Sequence, residues 1–320
     1  MTTAPDMLRQ FGGAPVGAGG PFGSFWTGNV YFVDFDNGTA GSEGKSVDDA
    51  CKYLQDAIDL AGEWDTIYIR PRDPDISSGD SNYHLPESTT NYSISNAKRG
   101  LSLIGTGLGM DGHGMAYQTY IRGQATSPTS GAVLAIAAPF CSIENLAFHR
   151  GSVTGGNQVA FTPGISAFAG SVNNCLFRFN DGVTEDGAAL IIHDAWYTMV
   201  YNSVFYRNRV GIGLHADTSS VRCVTIRGNI FQGLAADVDA HIVTGGNCAY
   251  ITIVDNHFID PRPTKGSRDF YIDMGVGAAC SGIIANNTFG TTDTTASTLC
   301  HLNSLTFAKN FVSHTAAITA

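Results

Sequence analysis

The stretch VYNSVFYRN, Val200 to Asn208, sets a β-branched residue five positions before a phenylalanine, with an asparagine between them. Close relatives of it recur: IENLAFHRG from Ile143, VNNCLFRFN from Val172, IRGNIFQG from Ile226, IVDNHFID from Ile253 and IANNTFG from Ile284. The pairs are Ile143/Phe148, Val172/Phe177, Val200/Phe205, Ile226/Phe231, Ile253/Phe258 and Ile284/Phe289. From Phe to Phe the intervals are 29, 28, 26, 27 and 31 residues, and a shorter step of 22 reaches Phe311. A near-constant period in this range marks a stacked solenoid, in which each repeat buries its apolar face only against its neighbours.

The repeating segments are short, β-branched and bounded by Gly, Asn and Asp, which are strand and turn signals. CVTIRGNIF and YITIVDNHF alternate apolar with polar residues, as a strand with one buried face does. Each period therefore reads as one coil of a right-handed parallel β-helix. The Ile or Val points inward, the chain turns at the Asn, and the Phe points inward again. Asparagine suits the corner because it tolerates the left-handed conformation and its amide can bond nearby backbone. Asn145, Asn174 and Asn202 lie two residues after the β-branched position, whereas Asn229, Asn256 and Asn287 lie three after it. This predicts a register shift of the corner near the fourth coil.

The pattern resembles the pectate-lyase-like superfamily of single-stranded right-handed β-helices, over residues 29–320. The most specific part is NVYFVDFDNGTAGSEGKSVDDACKYLQDAIDLAGEWDTIYIRP, from Asn29. Members of that superfamily often open with such a strand, a Gly/Asn loop, an amphipathic helix and a strand like DTIYI. From the residues alone, Ser46 is an N-cap, with Asp48 and Asp49 favourably placed in the first turn. Ala50, Tyr53, Leu54, Ala57, Ile58 and Leu60 give a stripe at helical spacing. A helix from Ser46 to about Ala61 is expected to cover the open end of the barrel, with Leu54, Ile58 and Leu60 inward. The chain divides into a Gly/Pro/aromatic arm (1–28), an N-terminal strand, capping helix and first coils with an insert (29–100), and regular coils (101–320). Long excursions are expected at 72–93 and 105–131.

With Lys+Arg 18 against Asp+Glu 28, the net charge of −10 disfavours nucleic acid and anionic membranes as partners. No apolar run approaches the ~18 residues that suggest a membrane-spanning helix. The seven cysteines show no CxxC pair and no zinc spacing. Cys141, Cys223, Cys248 and Cys280 read as small buried hydrophobes. The start MTTAPDMLRQ lacks a basic region and an apolar core, so assembly in a host cytoplasm is expected rather than secretion. An extracellular location is the alternative.

The superfamily includes pectate lyases, polygalacturonases, tailspike glycosidases and members without activity. The resemblance implies carboxylates holding Ca²⁺ and a basic residue for a lyase, or NTD, paired Asp, Gly-His-Gly and RIK motifs for a polygalacturonase. This sequence has no NTD and no RIK. Its paired Asp48–Asp49 falls on the capping helix, and Gly112-His113-Gly114 falls in a loop. Aligning ALIIHD, GIGLHAD, AHIVT and DFYID stacks His193, His215, Thr244 and Asp273 in one column, with Asp194 and Asp217 beside it. Two His and two Asp suit a divalent metal or acid/base work; a satisfied polar stack is the bland alternative, and no resident metal or cofactor is expected. Trp196, Tyr197, Tyr201 and Tyr206, with Arg207, are candidates for sugar or protein contact.

The sequence reading favours a non-enzymatic structural protein of a bacteriophage virion: a capsid-decoration, fibre or spike subunit that touches host-surface glycan. It is expected to be a homotrimer, anchored to other virion proteins by Phe11, Phe22, Phe25 and Trp26 of the N-terminal arm. The alternative is a polysaccharide lyase or glycoside hydrolase acting as a depolymerase, with His193, His215, Asp217, Asp194 and Asp273 as catalytic candidates.

Overall fold

The computed structural model describes residues 28–72, 83–84, 91–107, 119–123, 132–149, 157–161, 169–179, 188–217, 220–233, 239–259, 270–275, 279–291 and 295–312. The arm residues Phe11, Phe22, Phe25 and Trp26, most of the two long excursions, and Gly112-His113-Gly114 lie outside these. The chain forms three sheets of 11, 9 and 8 strands, here sheets A, B and C, and every strand pairing is parallel. Each coil visits C, then A, then B. Strand Leu190–His193 lies in sheet C, Met199–Tyr201 in A and Val204–Tyr206 in B. This is a single-stranded right-handed parallel β-helix, as the period predicts.

The two apolar columns run in register. Ile143, Val172, Val200, Ile226, Ile253 and Ile284 are consecutive partners on the inner face of sheet A, all fully buried. Phe148, Phe177, Phe205, Phe231, Phe258 and Phe289 are consecutive partners in sheet B. Their rings stack with centroids 4.8–5.4 Å apart and planes within 14°. The strand spacing of about 4.8 Å imposes this distance on any identical residue repeated at one position. The column does not extend to Phe311. Val312 pairs with Phe289, and Phe311 points outward, because the last coil is short by several residues.

The asparagines correct a second expectation. There is no register shift. The corner from sheet A to sheet B has a left-handed residue on seven successive rungs: Asn145, Asn174, Asn202, Gly228, Asp255, Asn286 and Lys309. The next position is a separate inward column: Leu146, Cys175, Ser203, Asn229, Asn256, Asn287 and Asn310. From Asn229 onward that column is a buried amide ladder. The N–H and Nδ2–H of Asn229 both donate to Oδ1 of Asn256, at 2.9 and 3.0 Å. Asn256 does the same to Asn287, and Asn287 to Asn310. Each amide also donates to a sheet A carbonyl on the preceding coil, such as Asn256 Nδ2 to Ile226 O at 3.0 Å.

The N-terminal cap is shorter than its sequence pattern. Ser46 caps a 3₁₀ turn, Val47–Asp49, accepting from the Asp49 N–H. Ala50 and Cys51 are then extended, and Cys51 bridges to Val33 and Thr39. The α-helix itself is Leu54–Leu60. Leu54, Ala57 and Ile58 face the barrel as expected, whereas Leu60 is 47% exposed because the helix ends beneath it. Lys98 Nζ donates to the Asp59 and Ala61 carbonyls and closes that end. No described helix is long and apolar enough to cross a membrane.

Candidate functional site

Alternation along strand Leu190–His193 sends Leu190 and Ile192 inward and leaves His193 on the outer face at the strand's end. Strand Val210–His215 repeats the arrangement one rung on, and His193 pairs directly with His215. Their rings meet edge to face with centroids 4.5 Å apart. Asp217 folds back over them: its Oδ2 lies 3.1 Å from His193 Nε2 and its Oδ1 2.7 Å from His215 Nε2. The hydrogen bond from His215 and the nearby His193 hold the Asp217 carboxyl below the usual carboxylate range. The imidazoles are largely covered, with side-chain exposures of 16% and 13%, while Asp217 is 61% exposed. One carboxylate thus gathers two imidazoles at the mouth of the turn from sheet C to sheet A.

The other members of the expected column do not join it. Thr244 pairs with Leu214, one residue out of phase with His215, and its hydroxyl packs inward on Cys248 Sγ at 3.0 Å. Asp273 pairs with Val243 and faces His301, whose Nδ1 is 3.1 Å from Asp273 Oδ1. AHIVT pairs with Val210–Leu214 and so ends one residue short of His215, and Asp273, opposite Val243, falls one residue further back. Asp194 is buried in the turn, with φ 49°, and its N–H donates to the His215 carbonyl.

The aromatic candidates separate. Trp196 donates Nε1–H to Ser220 O at 2.8 Å and stacks under Arg222, whose Cζ is 5.1 Å from the ring. Tyr197 stands beside it at the corner into sheet A, 55% exposed. Tyr201 lies on the outer face of sheet A in a groove of about 620 Å³ lined by Met199, Asn202, Thr225, Arg227, Gly228 and Asp255. Burial and the nearby Glu144 push its phenol up to about 12. Arg207 does not belong to this group. It occupies the corner from sheet B to sheet C, against the Phe179 ring. Tyr206 packs on the outer face of sheet B with Tyr120, Ala147, Leu176 and Val204.

Tyr197 is part of a larger feature. The corner into sheet A carries a left-handed residue on seven successive rungs: Trp64, Gly100, Phe140, Ala169, Tyr197, Cys223 and Tyr250, with φ between 54° and 71°. Backbone hydrogen bonds tie the neighbours, for example Trp64 N to Arg99 O and Tyr197 N to Arg222 O. Large and small residues alternate. Phe140, Tyr197 and Tyr250 are 38%, 55% and 69% exposed. A Cβ on Gly100 would stand 2.1 Å from the Trp64 ring, which leans across that rung to within 5.7 Å of Phe140. Cys223, expected to be buried, is half-buried here, while Cys141, Cys248 and Cys280 are buried as expected. Trp64, Phe140 and Tyr250 escape the sequence reading. Their signal is an aromatic three residues before the inward apolar position: Trp64/Ile67, Phe140/Ile143, Tyr197/Val200 and Tyr250/Ile253.

No protein-family model matches the chain, and no curated protein matches it. Solved structures with similar coordinates include the pectin methylesterase of Aspergillus niger, at 14% identity and TM-score 0.47, covering 92% of this chain and 88% of that one. A pectate lyase aligns at 12% identity and TM-score 0.45, covering 91% and 78%. A rhamnogalacturonan lyase aligns at 14% identity and TM-score 0.32, covering 89% and 67%. The likeness is one of fold. The β-helix of this chain is established by its own sheet pairing.

Proposed function

We propose that this chain is a structural subunit of a bacteriophage particle, a capsid-decoration, fibre or spike protein, whose β-helix presents a polysaccharide-gripping edge to the host surface. The aromatic corner carries this reading. A bulky residue in the left-handed region costs on the order of 1–2 kcal/mol, and such strain collects where function retains it. Here four aromatic residues accept it, each separated from the next along the corner by small residues. Phe140, Tyr197 and Tyr250 are two rungs apart, ~9.6 Å at the usual strand spacing, which is the length of an extended disaccharide. Exposed rings at that interval suit the faces of alternate sugars along an extended chain, with the groove beside Tyr201 as the flank. A charged fraction of 14% also suits close lateral packing of identical rods. Homo-oligomers usually close into cyclic symmetry, and the resemblance to β-helices packed side by side in phage particles makes the number three. The arm with Phe11, Phe22, Phe25 and Trp26 would then anchor three copies together, by avidity.

The test is affinity electrophoresis of the full chain in gels containing host-surface polysaccharide, with light scattering for the assembly. Tyr197→Ala and Tyr250→Ala together should weaken retardation at least tenfold. Unchanged retardation removes the glycan edge, and a monomer in solution removes the trimer. One observation favours a second reading, a depolymerase: Asp217 held between two imidazoles places acid/base groups together at one mouth. In that case the polysaccharide would lose viscosity and gain new chain ends, and Asp217→Asn would abolish both.

A further inference from the structure

We propose that His193, His215 and Asp217 form a binding site for one divalent transition-metal ion of the zinc class. The inference goes beyond the glycan edge and does not depend on it. Two imidazoles on consecutive rungs turn the same nitrogen, Nε2, toward the same carboxylate. All three donor atoms lie within 4.8 Å of one another, the one such His/Cys/Asp/Glu group among the described residues. A tetrahedral ion with ligand distances of ~2.0–2.2 Å needs donors about 3.4 Å apart. The present contacts of 2.7 and 3.1 Å are hydrogen bonds, so the ion would take the Nε2 lone pairs of the neutral imidazoles, each keeping its one N–H at Nδ1, and move the carboxylate outward by a fraction of an ångström. Asp217 is free to make that move: it is 61% exposed, at the outer end of its turn. The imidazoles are not. They sit on paired strands, 16% and 13% exposed, and so are already aimed.

The donor set selects the metal. Imidazole nitrogens with one carboxylate suit zinc, cobalt or nickel, whereas calcium and magnesium take oxygen ligands almost alone. Three protein ligands on the outer face of a sheet leave a fourth position open to solvent. That position could take water, or a donor from another chain or from a glycan hydroxyl.

The experiment uses the full chain stripped with a chelator and titrated with Zn²⁺ by calorimetry, and separately with Co²⁺ by visible absorption. One ion per chain should bind, with micromolar affinity or tighter, and Co²⁺ should give the intense d–d bands of a four-coordinate site. His215→Gln and Asp217→Asn should each weaken binding at least tenfold and remove the cobalt bands. Asp217 is 61% exposed, so circular dichroism and the melting temperature of metal-free Asp217→Asn should match the parent. His215 is largely covered, and the same two measurements on metal-free His215→Gln separate lost binding from lost folding. His301→Gln, at the separate Asp273 pair, should leave binding unchanged. Absence of stoichiometric binding, or equal binding by His215→Gln and Asp217→Asn, overturns the site. Octahedral cobalt spectra also overturn it, since they mean an ion held mostly by water.

Discussion

Sheet A is bounded by two corners with the same backbone and opposite chemistry. At the corner into sheet B the left-handed residues are Asn145, Asn174, Asn202, Gly228, Asp255, Asn286 and Lys309. At the corner from sheet C they are Trp64, Gly100, Phe140, Ala169, Tyr197, Cys223 and Tyr250. The φ values overlap, so the steric demand is equal. Asn, Asp and Gly meet it at low cost, and bulky side chains do not. The first corner is therefore occupied, Lys309 apart, by residues suited to its conformation. At the second only Gly100 is suited to it, and Phe140, Tyr197 and Tyr250 turn their side chains to solvent. What a corner requires for folding and what it presents for binding are thus separable within one coil.

The largest effect that would break this comparison lies just behind the first corner. Asn256→Ala removes the shared acceptor of the Asn229 N–H and Nδ2–H, inside a column with no solvent exposure. It also removes the donors to Ile226 O and Asn287 Oδ1. Two orphaned buried donors at ~1–3 kcal/mol each give a loss of about 4 kcal/mol, measurable by urea unfolding. A loss below about 1 kcal/mol would mean that the ladder is ornamental and the corner is held by packing alone.

Acid should act elsewhere in the same interior, where sheet C packs against the Phe column. His241 is buried against Phe231, Phe258 and Tyr271, and burial lowers its pKa from the usual 6.5 to about 3. A folded pKa below the unfolded one means that the unfolded chain binds the extra proton. The stability is then complete above about pH 6.5 and falls as pH drops toward 3, by about 3 kcal/mol at pH 4. His84, buried and lowered to about 4, adds a loss of the same sign over a narrower window. His241→Phe should make the fall between pH 7 and pH 4 shallower by about that 3 kcal/mol. An unchanged pH slope would show that the interior relaxes around the charge.

The fold was legible because it is written with period. A Phe every 26 to 31 residues needs no knowledge of loops, and register follows from stacking. The asparagine columns were misread as one column that shifts, because position after the β-branched residue was counted without separating corner from ladder. The His193–His215 pairing was legible from the aligned LIIH and GLH endings. Thr244 and Asp273 were misplaced, since a one-residue offset between coils cannot be seen without backbone pairing. The aromatic corner was not seen at all beyond Tyr197. Left-handed φ is ordinarily inferred from Gly, Asn or Asp, and here those residues give way to Trp, Phe and Tyr.

The smallest effect is the most informative about that second corner. Tyr250 holds φ 59° and is 69% exposed, so its ring contributes little packing. The hydrogen bond from its backbone N–H to Ser281 Oγ, 3.2 Å, does not depend on its side chain. Tyr250→Asn therefore places a residue suited to the left-handed region where an unsuited one now stands. The chain should gain up to ~1 kcal/mol and lose part of its hold on polysaccharide in affinity electrophoresis. Stability and binding should move in opposite directions, as they do where a strained residue is retained for function. The reverse change at the other corner, Asn202→Tyr, should cost about 1 kcal/mol and gain nothing in binding. If Tyr250→Asn instead lowers the urea midpoint, the ring stabilises the turn that holds it. The two corners then differ only in how each is packed, and the glycan-binding edge loses its support.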